Sequence, residues 1–276
     1  MPSAPEGGAT KIRADQSLVQ QGLVESRSRA QALILAGKIF AGERRIEKAG
    51  ELVAGDLALE VRGQDHPWVS RGGLKLEHAL RYFGLTPAGR ICLDVGASTG
   101  GFTDVLLANG ATRVHAVDVG HGQLAWKLRG DPRVVVHEKT NARFLTANDI
   151  PDAIGALVCD ASFIGLRTLL PAPLALCAEG AWAVALIKPQ FEAGRGAVGR
   201  KGVLRDPTVQ AEVCRGIAEW WSGLPGWCVA GLTESPITGA EGNREYLIAA
   251  TKNKNSEKQR FLTELLLANS APETSM

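Results

Sequence analysis

Two charged side chains stand directly after apolar runs, where an ion is costly to bury unless it has a partner. Asp160 follows the run 157–159, and Lys188 follows the run 185–187. If these runs are neighbouring strands of a parallel sheet, both charges lie at the same edge, where functional side chains collect. Each would lower the cost of burying the other. A purely structural ion pair is the alternative, but Pro189 stiffens the turn directly after the lysine and fixes its direction.

A third apolar run, Ile91 to Val95, leads into a glycine-rich turn and then a helix. Glycines let the backbone approach a ligand closely, and the helix that follows presents unpaired N–H groups. A pyrophosphate-binding fingerprint needs glycine two residues after Gly96, and Ser98 stands there instead, which disfavours NAD. The pattern resembles the first motif of S-adenosylmethionine methyltransferases. An ordinary tight turn between strand and helix, without a ligand, is the alternative. The predicted cofactor residues here are Asp94, Gly96, Ser98, Thr99, Gly100, Gly101, Phe102 and Thr103.

Asp118 ends the next apolar run, 24 residues after Asp94 (118 minus 94). An acid near this spacing can accept hydrogen bonds from ribose hydroxyls. Methyltransferases and dehydrogenases both use this arrangement, so Asp118 supports nucleoside binding without excluding an NAD-linked oxidoreductase. A helix-capping or solvated aspartate is the alternative.

Apolar strands alternate with helical segments over the rest of the chain, as in a parallel sheet covered on both faces. The fold class predicted is therefore α/β. Parallel strands are predicted at Ile91–Val95, Val114–Val117, Val134–His137, Ala156–Cys159 and Ala183–Ile187, and antiparallel strands at Trp227–Ala230 and Tyr246–Ala250. Helices are predicted at Phe102–Asn109, Gly122–Leu128, Leu166–Cys177 and Thr208–Trp221. A further helix near Leu76 and Leu80 carries Lys75 on another face, which by itself indicates a surface lysine.

The N-terminal part reads as a small basic module. A helix is predicted at Ala14–Gln21, a second one is capped by Ser26, the stretch Lys38–Ile46 alternates around a glycine turn, and Leu57–Val61 looks like a strand. Residues 11–48 contain eight lysines and arginines and four acidic residues, which gives a net charge of +4. The Ser26–Ile34 helix and the Gly37–Ile39 exit resemble the RNA-binding module of ribosomal protein S-four type. A solvated helix face is the alternative.

The motifs together resemble the TlyA family, which carries a historical hemolysin name, and more broadly the FtsJ-like ribose 2′-O-methyltransferases. The resemblance rests on five stretches: Ser70–Leu76, Asp94–Asp104, Cys159–Ile164, Leu186–Glu192 and Gly242–Tyr246. It implies a Rossmann-like class I methyltransferase sheet behind a small α+β RNA-binding domain, with S-adenosylmethionine as cofactor. The implied activity is methylation of a ribose 2′-hydroxyl, of cytidine, in ribosomal RNA. A non-catalytic RNA-binding or ribosome-assembly protein and a membrane-lytic hemolysin are the alternatives.

The resemblance also assigns roles to single residues. The catalytic tetrad of the family falls on Lys75, Asp160, Lys188 and Glu245, with the nearby Glu241 as the alternative for the last position. This assignment replaces the surface interpretation of Lys75. Asp160 is also expected at the cofactor. Lys188 is the candidate base and must be neutral to take a proton. Burial and a cationic neighbour favour the neutral amine, whereas the two acids favour the charged one. The predicted RNA contacts are Lys11, Arg13, Arg27, Arg29, Lys38, Arg44, Arg45 and Arg71.

The implied organisation is a flexible start (1–10), an RNA-binding domain (11–62), a linker (63–69), a methyltransferase domain (70–252) and a tail (253–276). The whole chain has a net charge of only +2, so attraction to RNA must be local. Five scattered cysteines indicate buried thiols rather than disulfides or a metal site. No signal peptide or membrane span is expected, so we predict a cytoplasmic monomer that acts on ribosomal RNA or ribosomal subunits. The basic, glycine-rich segment 193–202 is predicted to be a mobile flap that becomes ordered on RNA, and a purely flexible loop is the alternative.

Overall fold

The computed structural model describes residues 11–24, 26–62, 66–194, 199, 202–239 and 242–253. Segment 1–10, most of the predicted flap and the tail from residue 254 onward lie outside the described residues. So does Glu241, which is the other acid near Glu245 in the sequence. The predictions for these parts stay predictions.

Residues 11–62 form two helices and two small antiparallel sheets. Strand β1 (Lys11–Arg13) pairs with β4 (Leu52–Ala54), and β2 (Ile39–Ala41) pairs with β3 (Arg44–Arg45) and β5 (Glu60–Val61). Helices α1 (Ala14–Gln20) and α2 (Arg27–Leu35) pack over a core of their own that includes Leu18, Ile34, Ile39 and Val53. Ser26 caps α2 as expected, since its Oγ accepts from the Arg29 N–H at 3.2 Å.

Both helices and the β2–β3 hairpin are therefore confirmed, whereas β1 and β4 escaped prediction. A strand of three residues spans barely one period of alternation, so its pattern cannot be distinguished from that of a loop. The predicted strand Leu57–Val61 is shortened to Glu60–Val61.

The larger part of the chain is built on a seven-stranded sheet of order β11-β12-β10-β9-β6-β7-β8. The five parallel strands are β6 (Ile91–Val95), β7 (Arg113–Val117), β8 (Val134–His137), β9 (Ile154–Cys159) and β10 (Cys177–Ile187). Strands β11 (Trp227–Glu234) and β12 (Tyr246–Lys252) complete the sheet antiparallel to the rest. The predicted α/β class and each predicted strand of this sheet are confirmed.

Helices cover both faces of this sheet. They are α3 (Gly72–Phe83), α4 (Gly101–Ala108), α5 (Trp126–Arg129), α6 (Leu166–Leu169), α7 (Pro171–Ala175), α8 (Pro189–Glu192) and α9 (Pro207–Ser222), with a 3-10 turn at Ala142–Phe144. Leu186 packs with α3 and α4, whereas its neighbour Ile187 packs with α9, because successive strand residues point to opposite faces. All five cysteines are buried free thiols, as predicted.

Two helix predictions were wrong in extent. The predicted helix Leu166–Cys177 is two short helices, because Pro171 lacks the N–H that would continue the first one and instead starts the second. The predicted helix Gly122–Leu128 begins only at Trp126. Gly122 has a φ of +70°, outside the helical region, and its N–H donates to Glu138 Oε1 at 2.8 Å.

Candidate active site

Strand β6 ends in the glycine-rich loop that the sequence predicts to hold a cofactor. Gly96 and Gly100 have φ values of +82° and +94°, a region that glycine enters without strain. A Cβ atom on Gly96 would lie 3.0 Å from the backbone of Ala161, so the loop also packs closely against the segment after β9. The N–H of Ser98 donates to Asp118 Oδ2 at 2.8 Å. The ends of three parallel strands are thus joined at this loop.

Asp94 and Thr103 lie beneath the loop. Thr103 Oγ1 donates to Asp94 Oδ2 at 2.7 Å, and Asp94 Oδ1 is buried with no hydrogen-bond partner within the described residues. Burial raises the pKa of Asp94 to about 7, although the bond from Thr103 opposes the rise. Asp94 therefore has an incomplete set of partners directly under the cofactor loop.

Helix α3 begins against the same loop. A Cβ atom on Gly101 would lie 2.3 Å from Ser70 Oγ and 2.9 Å from the Gly73 nitrogen. Only glycine allows so close an approach between these two backbones. One helical turn later, the side chain of Lys75 is buried at the sheet edge. The close packing of Gly101 on Ser70 and Gly73 thus brings the start of α3, and with it Lys75, next to the cofactor loop.

A cavity of about 510 Å³ opens between the glycine loop, the start of α3 and the ends of β9, β10 and β12. Six predicted cofactor residues line it: Gly96, Ser98, Thr99, Gly101, Phe102 and Asp160. Asp118 lines a small adjoining pocket with Gly120, Gln123 and Glu138. Asp94, Gly100 and Thr103 are not among the residues lining either space, so they shape the loop from behind.

All four predicted catalytic residues line the large cavity, and basic and acidic side chains alternate along their contacts. Lys75 Nζ lies 2.6 Å from Glu245 Oε2 and 3.3 Å from Asp160 Oδ2. Lys188 Nζ lies 2.6 Å from Asp160 Oδ1, close enough for an ion pair but without hydrogen-bond geometry. Asp160 is therefore shared between two lysines.

The surroundings of these groups keep Lys75 and Asp160 charged. Burial disfavours the Lys75 ammonium, but the carboxylates of Asp160 and Glu245 outweigh it and raise the lysine pKa. Burial likewise opposes ionisation of Asp160, yet Lys75 and Lys188 together lower its pKa. Lys75 is thus a fixed cation between two acids.

Three contacts connect the segment that follows Asp160 with the segment that begins at Lys188. Lys188 Nζ donates to Ser162 Oγ at 2.8 Å, and the rings of Phe163 and Phe191 have centroids 5.2 Å apart. The N–H of Leu166, at the start of α6, donates to Glu192 Oε1 at 2.7 Å. Glu192 is the last residue of α8, the short helix that begins directly after Lys188, so this bond ties the segment of the lysine to the aspartate loop.

The chain is similar in sequence and fold to known methyltransferases and hemolysin-named proteins. Residues 68–252 match the model of the FtsJ-like methyltransferase family. The chain is 47% identical over 241 residues to the 16S/23S rRNA (cytidine-2′-O)-methyltransferase TlyA of Mycobacterium tuberculosis, covering 87% of this chain and 90% of that protein. It is 41% identical to Hemolysin A of Brachyspira hyodysenteriae over 86% of this chain and 98% of that one. A solved hemolysin-named protein of Streptococcus thermophilus superposes with a TM-score of 0.72 at 39% identity, covering 95% and 96% of the two chains.

The chain belongs to the FtsJ-like methyltransferase family. Its cofactor is S-adenosylmethionine. The site fits this molecule: a cavity of about 510 Å³ has the size of a small-molecule pocket, and the glycine loop gives close backbone approach at the end of β6. Asp118 lies next along the sheet edge, where an acid can bind ribose hydroxyls. Within the described residues, neither a membrane-spanning helix nor a metal-binding group of His, Cys, Asp and Glu is found.

The predicted RNA-binding residues of this FtsJ-family chain differ in their surroundings: some form ion pairs within the module, and others are exposed on it or lie at the cavity. Arg13 and Arg27 both pair with Asp15, whose carboxylate is fully buried at 0% exposure. Chiefly through the bond from Arg13, the pKa of Asp15 is held well below its usual range. These two arginines therefore neutralise a buried carboxylate, and Arg44 similarly pairs with Glu51. Other predicted contacts are exposed on the module, namely Lys11, Arg29 and Arg45, while Lys38 is partly buried; Arg71 lies at the cavity.

The residue-by-residue sequence prediction missed several residues of the cavity, among them Ser162, Phe163 and Asn243. Ser162 and Phe163 lie two and three residues after Asp160, and this closeness in sequence was the available signal. Phe163 is 90% exposed and has a φ of +66°, an unusual conformation for an aromatic residue at a cavity. Asn243 is buried, accepts from the Leu204 N–H and donates to the Gly202 carbonyl, both at 3.1 Å. No local pattern predicts that pairing across about 40 residues of chain.

Proposed function

We propose that this protein transfers a methyl group from S-adenosylmethionine to the ribose 2′-hydroxyl of a cytidine in ribosomal RNA. The observation that carries the proposal is the position of Lys188, buried at the cavity and paired with Asp160, beside the cofactor loop. The names of the mycobacterial relative and the family model support the substrate class.

The chemistry asks little of the protein beyond alignment and removal of one proton. The bound cofactor supplies an activated methyl group on a sulfonium. A ribose hydroxyl is a poor nucleophile until its proton is taken by a positioned base. Lys188 Nζ is the group that accepts this proton, and Asp160 orients the amine and stabilises the ammonium that forms.

Lys75 and Glu245 act through Asp160. Because Lys75 stays charged between two carboxylates, it holds Asp160 in place and offsets part of its negative charge. Glu245 in turn holds Lys75 with a contact of 2.6 Å. We therefore assign proton transfer to Lys188 and electrostatic positioning to the other three residues.

The acceptor RNA meets the cavity from the side of Arg71 and Phe163. Phe163 is exposed beside the catalytic lysine, where its ring can stack on an unpaired base, and Arg71 can neutralise a neighbouring phosphate. We assign the contacts with RNA phosphates away from the cavity to the basic module of residues 11–62. These contacts contribute binding affinity and not sequence specificity. A single chain supplies the whole tetrad, so we propose a monomer that works in the cytoplasm, where ribosomes are.

The test is incorporation of tritiated methyl groups into ribosomal subunits from a strain that lacks the gene, followed by mapping of 2′-O-methyl positions. We expect the wild type to modify a cytidine, and both Lys188→Ala and Lys188→Arg to lose activity, since arginine keeps the charge but does not act as a base. Cofactor affinity, measured by calorimetry, should change little in these variants.

The matched control is Lys139→Ala, which removes an exposed lysine outside the tetrad and should remain active. Full activity of Lys188→Ala would refute the assignment of the base. Absence of methyl incorporation by the wild-type protein would favour the non-catalytic RNA-binding role.

A further inference from the structure

We propose that Ser162 is the relay through which the proton taken up by Lys188 leaves the enzyme between turnovers. This inference rests on the proposed function and concerns a step that follows methyl transfer. The hydroxyl of Ser162 lies 2.8 Å from Lys188 Nζ.

Each turnover leaves one proton behind. The hydroxyl loses its proton as the new C–O bond forms, and the sulfonium becomes a neutral thioether as its C–S bond breaks. The proton then resides on Lys188 as an ammonium, which cannot serve as a base again. The enzyme therefore needs a route from Nζ to a solvent acceptor before the next acceptor molecule reacts.

Lys188 itself has poor access to water. Its side chain is only 8% exposed, and its Nζ lies 2.6 Å from Asp160 Oδ1. Asp160 does not provide an exit, since its carboxylate is also paired with Lys75 and its pKa is lowered by the two lysines. Passing the proton to Asp160 would thus neutralise the group that holds both amines.

Ser162 has the properties that the exit requires. It belongs to the exposed residues of the cavity wall, and a hydroxyl can accept one hydrogen bond while donating another. In the relay, the Lys188 ammonium gives its proton to Ser162 Oγ as the Ser162 hydroxyl releases its own proton to a water molecule. Lys188 returns to the neutral amine, the serine is unchanged, and the water becomes hydronium, so atoms and charge balance.

The position of Ser162 is fixed independently of Lys188. The adjacent residue Phe163 packs its ring against Phe191, and Glu192 accepts from the Leu166 N–H, so the loop after Asp160 is tied to the loop after Lys188 at two further points. Replacing the serine hydroxyl should therefore leave the lysine in place and remove mainly the exit route.

The experiment compares steady-state methyl transfer to ribosomal subunits by the wild type, Ser162→Ala, Ser162→Thr and the exposed control Thr168→Ala. We expect kcat of Ser162→Ala to fall about tenfold, below the roughly 100-fold or more that a direct acid or base contributes. The KM values for RNA and cofactor should stay within about twofold, and Ser162→Thr, which keeps a hydroxyl, should retain most of the activity. Imidazole, a small diffusible base, should raise the rate of Ser162→Ala in proportion to its concentration and leave the wild type unchanged.

Three results would overturn the relay: an unchanged kcat in Ser162→Ala, a loss confined to the KM for RNA, or a loss that imidazole does not relieve. The second would make Ser162 a substrate contact instead. Failure of the wild type to methylate the subunits would contradict the proposed function and is therefore distinguishable from failure of the relay.

Discussion

The buried pair between Lys75 and Glu245 gives the sharpest quantitative prediction. Lys75→Met keeps the length of the side chain and its apolar stem but removes the ammonium. The side chain of Glu245 is 3% exposed and would be left as a buried charge without its partner. Asp160 would keep Lys188. The variant therefore leaves the Glu245 carboxylate without its cation and removes one of the two cations beside Asp160.

The magnitude follows from the distances. With an effective dielectric constant of about 20, contacts of 2.6 and 3.3 Å correspond to attractions of about 6 and about 5 kcal/mol. Removing the ammonium also removes its own desolvation cost, which is several kcal/mol. The net loss in the free energy of unfolding is therefore about 3 to 5 kcal/mol, the range seen when one partner of a buried pair is deleted. For a domain of this size it corresponds to a fall in Tm of roughly 6 to 20 °C.

Calorimetry without cofactor measures this fall, and the double variant Lys75→Met with Glu245→Gln is the matched control. Because the glutamine carries no charge, we expect it to recover at least half of the lost stability while methyl transfer remains absent. A fall of less than about 1 kcal/mol in Lys75→Met, or no recovery in the double variant, would falsify the view that the unpaired carboxylate is the cause.

Further predictions concern Asp94, Arg29 and Glu192. Because the folded pKa of Asp94 is about 7 and the unfolded value is about 3.9, its contribution to stability is present below about pH 4 and is lost as pH rises through 7. Asp94→Asn should therefore flatten the decline of Tm over this window, and an unaltered decline would contradict the role of burial. Arg29→Ala should weaken RNA binding and reduce the slope of log affinity against log salt by about one, measured by filter binding; an unchanged slope would remove Arg29 from the phosphate contacts. Glu192→Ala should lower kcat about 10- to 100-fold by loosening the loop of Lys188, whereas Glu192→Gln keeps an acceptor for the Leu166 N–H and should lose less; equal losses would count against positioning by that bond.

The sequence determined the parallel sheet and the cofactor loop because both depend on short-range patterns. The run Ile91–Val95 is apolar throughout, as a strand buried on both faces must be, and the glycines after it permit the backbone angles that the loop adopts. The position of Lys188 at the end of a buried strand was predicted from the same kind of apolar run. The four tetrad residues, by contrast, were assigned through family resemblance, since the helical pattern around Lys75 by itself indicated a surface residue.

Only the tertiary structure decided which charges meet. Lys75 and Glu245 are 170 residues apart, and no periodicity within either segment encodes their contact. The close approach of Gly101 to Ser70 and Gly73 brings the start of α3 against the cofactor loop, and Lys75 follows in the same helix. The relation of Ser162 to Lys188 likewise depends on the pairing of β9 with β10. Local sequence therefore determined which elements form and what chemistry they carry, while packing between distant segments determined which side chains share a proton or a charge.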